Sequence, residues 1–136
     1  MVPRRTPRAA AMRVFFDTNI LVSLYDLDEP AKKERACEIF EIEASAGRAL
    51  LSTQVLQEFY VTVTGKLAVP LDLKVAEDVV RNLGVLPLIQ IDAELILAAI
   101  GAGRRLQFSF WDALIVEHDP GASGLYMKDI SMLSLH

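Results

Sequence analysis

The chain has 136 residues, 52% of them hydrophobic and 24% charged, with a formal net charge of −4. That length and balance predict one compact domain with a buried core and argue against a disordered chain. The acidic sign excludes a protein that holds nucleic acid through a broadly basic surface, leaving only local clusters such as Lys32-Lys33 and Arg104-Arg105 for that purpose.

Residues 1–11 carry Arg4, Arg5 and Arg8 without an apolar h-region, so they do not form a secretory signal. Either Met12 is the natural start or residues 1–11 are a disordered arm, ahead of a single domain over residues 12–136. Val14-Phe15-Phe16 is continuously apolar and predicts a buried strand. Asp17-Thr18-Asn19 supplies helix-starting chemistry, and Ile20-Leu21-Val22 continues into the helix. Pro30 opens a second helix that runs to about Ala46 and stops at Gly47. Within it Cys37, beside Ile39 and Phe40, is expected to be a small core hydrophobe. As the one cysteine of the chain it rules out an intramolecular disulfide and fits a reducing cytoplasm.

Ala49-Leu50-Leu51 is a short strand, followed by a helix with Thr53 as its expected cap and Gly65 or Pro70 as its far limit. Asp72 caps the next helix, closed by Gly84. Val85 to Ile91 predicts a strand whose pairing Pro87 restricts. Asp92 to Gly103 is a helix with Leu95, Ile96, Ala98 and Ala99 as its apolar positions. Ser109 caps a helix that holds Trp111 and Asp112 and ends near Pro120, and Gly124-Leu125-Tyr126-Met127 is the last strand. No apolar run approaches the roughly 18 residues that cross a bilayer, so no membrane association is expected. Strands alternating with helices predict an α/β fold with a mostly parallel sheet, whose ligands sit at the carboxyl ends of the strands.

Four carboxylates occupy defined places in this pattern. Asp17 and Asp129 each fall just past a strand, which puts them on one edge of the sheet; Glu58 and Asp112 lie on helices. Brought together they would form an oxygen-rich pocket suited to magnesium or manganese. Taken singly, each has a plainer use. Asp17 is an N-cap, Asp112 an acid in the first turn of a helix, and Asp129 a turn residue. Glu58 lies about 130° from the centre of the face formed by Val55, Leu56, Phe59 and Val63, which allows either solvent or a crevice margin.

Other chemistry is weaker. His118 stands near a helix end with no second histidine at zinc spacing, and His136 is the last residue. The serines lack a nucleophile motif. Gly101-x-Gly103 lacks a third glycine and is expected to stop its helix. Trp111 is expected to pack rather than to stack on a base.

The order and context of these segments carry a resemblance. Val14-Phe15-Phe16-Asp17-Thr18-Asn19-Ile20-Leu21 resembles the opening strand and first acid of PIN-domain ribonucleases. Gln57-Glu58-Phe59-Tyr60 is similar to their helix glutamate. Phe110-Trp111-Asp112-Ala113-Leu114-Ile115 resembles the third-acid segment, especially of VapC-type toxins, and Leu125-Tyr126-Met127-Lys128-Asp129 the final acid. The resemblance covers about Met12 to Met132. It implies a three-layer α/β/α sandwich around a mostly parallel sheet. It also implies metal-dependent endoribonuclease activity on an RNA substrate, homodimerisation, and neutralisation by a cognate antitoxin.

On that reading Asp17, Asp112 and Glu58 hold one or two magnesium or manganese ions, Asp129 completes the pocket, and Asn19 and Ser109 orient carboxylates or water behind them. Apolar residues of the early helices, around Leu24, Tyr25 and Phe40, are expected to be exposed and to form the antitoxin groove. Two departures stand out. Met127 occupies a position where the family usually has Ser or Thr, and the sequence ends seven residues after Asp129, where family members usually continue into a further edge strand. They motivate an alternative, a degenerate PIN module that binds antitoxin or RNA with little or no cleavage. A phosphatase with a strand-end aspartate nucleophile is disfavoured, because Asn19 stands where such enzymes carry a second acid.

Overall fold

Val14, Phe15 and Phe16 are 4%, 2% and 0% exposed. A strand buried on both faces needs a sheet neighbour on each edge and a layer over each face. The computed structural model, which describes residues 11–120 and 122–127, provides both. Strand β1 (Ala11–Phe16) lies between β2 (Ala49–Ser52) and β4 (Ala122–Met127), and β3 (Leu88–Ile89) pairs with β2, giving the order β3-β2-β1-β4. All three pairings are parallel, with Val14 opposite Ala49 and Phe16 opposite Met127.

The helices are α1 (Thr18–Ser23), α2 (Pro30–Ser45), α3 (Thr53–Gly65), α4 (Leu73–Leu83), α5 (Ala93–Leu106) and α6 (Phe110–His118). Successive strand residues point to opposite faces, and two ring contacts show what covers each. The Phe15 ring stacks on Trp111 of α6, with centroids 6.4 Å apart, while Phe16 meets Phe40 of α2 edge-on at 5.0 Å. Helices α1 to α4 therefore lie on one side and α6, with α5 behind it, on the other. This is the expected three-layer sandwich. The larger core joins β1 and β2 to Ile20, Leu21, Val55, Phe59 and Val63; a smaller one holds Ala99, Ala102, Ala113 and Leu114 between α5 and α6.

Several boundaries differ from the sequence reading. Helix α3 is capped by Ser52, not Thr53: the buried Ser52 hydroxyl accepts the Val55 N–H at 3.0 Å. A serine that ends a strand can serve the following helix, and that dual role is invisible to a pattern of apolar residues. Only Leu88 and Ile89 pair within the expected Val85–Ile91 strand; Pro87 has no N–H to donate, and its carbonyl accepts the Leu51 N–H at 3.1 Å. Gly103 does not stop α5, which runs to Leu106 and ends where Gln107 takes a left-handed conformation (φ 57°). The close of α2 follows expectation, with Gly47 at φ 74° beyond its last turn. Residues 1–10 and 128–136 lie outside the described residues, and with them the expected arm, Asp129, His136 and the question of a further edge strand.

Charged groups gather at the amino ends of the strands. Arg13 pairs with Asp119 (3.3 Å) and donates to the Gly47 carbonyl (3.0 Å), and Arg48 pairs with Glu43 at 2.6 Å. Among the described residues, no helix is long and apolar enough to cross a membrane.

Candidate active site

The carboxyl end of β1 is where the order of the sheet turns back, with β2 and β3 on one side and β4 on the other. Such a switch point opens a crevice. Asp17 stands at its lip. Its backbone N–H donates to the Met127 carbonyl at 2.9 Å, joining the ends of β1 and β4, and its carboxylate caps α1 by accepting the Asn19 N–H at 3.5 Å. Phe16 below it is fully buried, which fixes the backbone from which Asp17 projects.

Glu58 reaches the same place from α3. Val55, Phe59 and Val63 of that helix are buried, and this sets its rotation. Glu58 is left at the margin, one of the two positions its periodicity allowed. There it accepts a hydrogen bond from Thr18 Oγ1 at 2.8 Å. Asp17 and Glu58 line one open cavity of about 530 Å³, together with Thr18, Asn19, Gln57, Val61, Thr62 and Lys66.

The other expected residues are placed less directly. Helix α6 leads straight into β4 and so runs back along it, which brings its first turn to the carboxyl end of the sheet. The Phe15–Trp111 ring contact holds that turn beside β1. Asp112 sits there, partly buried, but does not line the cavity. Ser109 caps α6, its hydroxyl accepting the Asp112 N–H at 3.1 Å. Asn19 lines the cavity. Asp129 lies outside the described residues. Among the described residues, no three His, Cys, Asp or Glu side chains converge closely enough to hold a metal.

Five residues of this cavity escaped the sequence reading: Thr18, Gln57, Val61, Thr62 and Lys66. For two of them a signal existed. Thr62 and Lys66 follow Glu58 at four-residue intervals on one helix, so any cavity reached by Glu58 is open to them as well. His118 is exposed. Trp111 packs against two rings, Phe15 and Phe110, although 39% of it remains exposed.

A second cavity, of about 430 Å³, lies between α1, α2 and the end of α4, where Leu24, Tyr25, Cys37, Phe40 and Leu83 are among its walls. Leu24 was expected to be exposed but is buried (7%), because it closes α1 against the core. Burial pushes the Tyr25 hydroxyl above its ordinary value, and the neighbouring Cys37 adds to the shift.

Comparison with known proteins bears on the whole arrangement. The profile of the PIN domain matches residues 14–118, a span that begins in β1 and ends with α6. The chain belongs to the PIN-domain family. Among solved structures, this PIN domain is similar to VapC20 of Mycobacterium tuberculosis, a sarcin-ricin loop cleaving toxin. The identity is 16%, over 88% of this chain and 94% of that one, with a TM-score of 0.47. It is also similar to DNA-bound VapBC of Salmonella typhimurium, at 18% identity over 86% of each chain and a TM-score of 0.48. None of the curated proteins matches it in sequence.

Proposed function

We propose that this PIN domain is a metal-dependent endoribonuclease, acting in the cytoplasm as the toxin of a toxin–antitoxin pair. The observation that carries the reading is the convergence of Asp17 and Glu58 in one open cavity at the switch point of the sheet. Membership of the family supports it. The uncharged and anionic groups offered there, two carboxylates, two threonine hydroxyls and two side-chain amides, are oxygen and nitrogen groups without sulfur or imidazole. That set fits magnesium or manganese, since magnesium is commonly held by one or two carboxylates and keeps several waters. Asp17 and Glu58 would hold the ion, with Asp112 approaching from α6 and Asp129 from beyond β4. When bound, it would supply charge neutralisation at the phosphodiester and activation of water.

The chain's own residues set the conditions for that chemistry. Two carboxylates repel a phosphate, so RNA enters only when their charge is offset. Thr18 holds one oxygen of Glu58 and leaves the other free to turn to the cavity. The α1 cap holds Oδ2 of Asp17 against the Asn19 N–H. Asn19 and Gln57 offer neutral amide donors to phosphate or sugar oxygens. Ser109, by capping α6, sets the backbone of Asp112.

The antitoxin would dock at the cavity between α1, α2 and α4, whose apolar walls include Tyr25, Phe40 and Leu83. A homodimer would be the working unit. A second reading, a PIN module that binds antitoxin or RNA with little cleavage, is favoured by Met127. Its side chain is 3% exposed within the main core and brings no hydroxyl to the crevice.

A calorimetric manganese titration of the protein beside Asp17→Asn tests the proposal. Asparagine also caps helices, so the variant retains α1. Saturable binding lost in the variant, with RNA cleavage lost alongside it, is the expected result. A folded protein that binds no manganese would turn the assignment to the non-cleaving module. Failure of a small adjacent-gene partner to copurify or inhibit would remove the toxin assignment while leaving the nuclease.

A further inference from the structure

Lys66 is the cationic residue lining the cavity of Asp17 and Glu58. Glu58, Thr62 and Lys66 form one stripe along α3, and at 1.5 Å per residue Lys66 stands roughly 12 Å beyond Glu58. Its place is fixed by the backbone. As the residue that closes α3 it donates its N–H to the Thr62 carbonyl at 2.8 Å, and the chain beyond returns to the helix through Leu71 N–H and the Val63 carbonyl, also at 2.8 Å.

The side chain of Lys66 is exposed, and among the described residues it enters no ion pair. Arg13, Arg48, Lys74 and Arg81 each meet a carboxylate; Lys32, Lys33, Arg104 and Arg105, like Lys66, enter no ion pair among the described residues, but none of them lines this cavity. Lys66 shares a cavity with two acids and yet stays off both. Between it and Glu58 the cavity wall is neutral, made by Val61 and Thr62. The wall thus has an acidic end, a neutral middle and a cationic end. A polyanionic strand with one phosphate over the acids carries its next phosphates outward, and only one direction along this wall ends on a positive charge.

We propose that Lys66 binds a backbone phosphate flanking the one that is cut, and so fixes the direction in which RNA crosses the cavity. The inference rests on the nuclease reading above. A lysine at the end of a helix has a plainer use, in offsetting the helix dipole. That use would alter stability and leave RNA affinity unchanged.

Binding of a fluorescent single-stranded RNA oligonucleotide, and its cleavage in manganese, would be measured for the unaltered protein, Lys66→Ala and Lys66→Arg. Circular dichroism melting would report folding. Loss of one charge-assisted contact at an exposed site should weaken binding and raise KM about three- to tenfold. The kcat should stay within about twofold, as for uniform binding. The slope of log affinity against log salt should become shallower by about 0.7, the value for one phosphate on a single strand. Lys66→Arg should restore both readouts. Cleavage with KM and salt slope unchanged in folded Lys66→Ala would overturn the phosphate contact and leave the nuclease standing. Binding weakened by Lys66→Ala in a protein that never cuts would do the reverse. No RNA binding by the unaltered protein would overturn both.

Discussion

The Thr18 hydroxyl donates to Glu58 Oε1 across 2.8 Å, tying the first turn of α1 to the middle of α3. The two residues are forty positions apart in sequence, and the bond depends on the whole α/β order that stacks α1 on α3. It restrains a glutamate that helix rotation alone leaves at a margin.

Removing that restraint should show in metal affinity before it shows in stability. Thr18→Val is expected to weaken manganese binding about tenfold, at the lower end of what loss of a ligand-orienting partner costs. Thr18→Ser should keep the hydroxyl and the affinity. Calorimetry on the two variants separates the hydroxyl from the methyl. An unchanged affinity in Thr18→Val would mean that Glu58 reaches the ion without help.

The cap of α3 yields a contrast between neighbours. Ser52 is 1% exposed, and Ser52→Ala leaves the Val55 N–H without its acceptor in the interior. The expected loss is about 2 kcal/mol, combining a lost cap with a buried unsatisfied donor. Thr53→Ala should cost less than about 0.5 kcal/mol, as is usual for substitutions away from such features. Urea denaturation of both variants decides which residue is the cap.

Gly124 in β4 lies against Ile115 of α6. A Cβ added there would come within 2.7 Å of both Cδ1 and Cγ2 of Ile115 and 3.1 Å of its Cβ. Ile115 is fully buried and, being β-branched, cannot swing both branches away. Gly124→Ala is expected to destabilise by about 1–3 kcal/mol through overpacking, measurable as a lowered urea midpoint. A neutral result would show that α6 shifts freely on β4.

Tyr25 gives a pH dependence with a definite sign. Burial, with Cys37 beside it, raises its folded-state pKa above the ordinary 10.0. Below 10.0 the phenol is protonated in both states, and Tyr25 adds no slope. As pH rises from there through the higher folded value, the unfolded chain loses its proton first and stability falls. Arg48 and Lys74 are also raised, by hydrogen bonds to Glu43 and Asp78, and their contributions are likewise lost at high pH. Tyr25→Phe should therefore flatten the decline measured between about pH 9.5 and 11 by urea titration. An identical decline in the variant would place its cause elsewhere.

The parts of this molecule that were legible in sequence are those whose signal is local. Val14-Phe15-Phe16 announced a strand buried on both faces, and Asp17, Asp72 and Ser109 all cap the helices they precede. Pairing of Asp17 with Glu58 was suggested by resemblance, since periodicity left Glu58 at a margin. What stayed hidden depends on neighbours distant in sequence. Thr18 has no mark of its role until α3 is beside it, Leu24 looks like an available surface residue until α1 closes on the core, and Ser52 serves a strand and a helix at once. Gly103 misled for a related reason: contacts between α5 and α6 around Ala99, Ala102 and Ala113 sustain a helix that two glycines weaken.

The parallel sheet also partitions the molecule's charges by their task. At the amino ends of the strands Arg13, Asp119, Arg48 and Glu43 neutralise one another, while at the carboxyl ends Asp17 and Glu58 share a cavity with a cation that neither engages. The two ends are separated by a hydrophobic strand length. Repairs to stability can therefore accumulate at one pole while ligand preference is revised at the other, with little crosstalk between them. A scaffold wired in this way tolerates exchange of its chemistry without renegotiating how it folds.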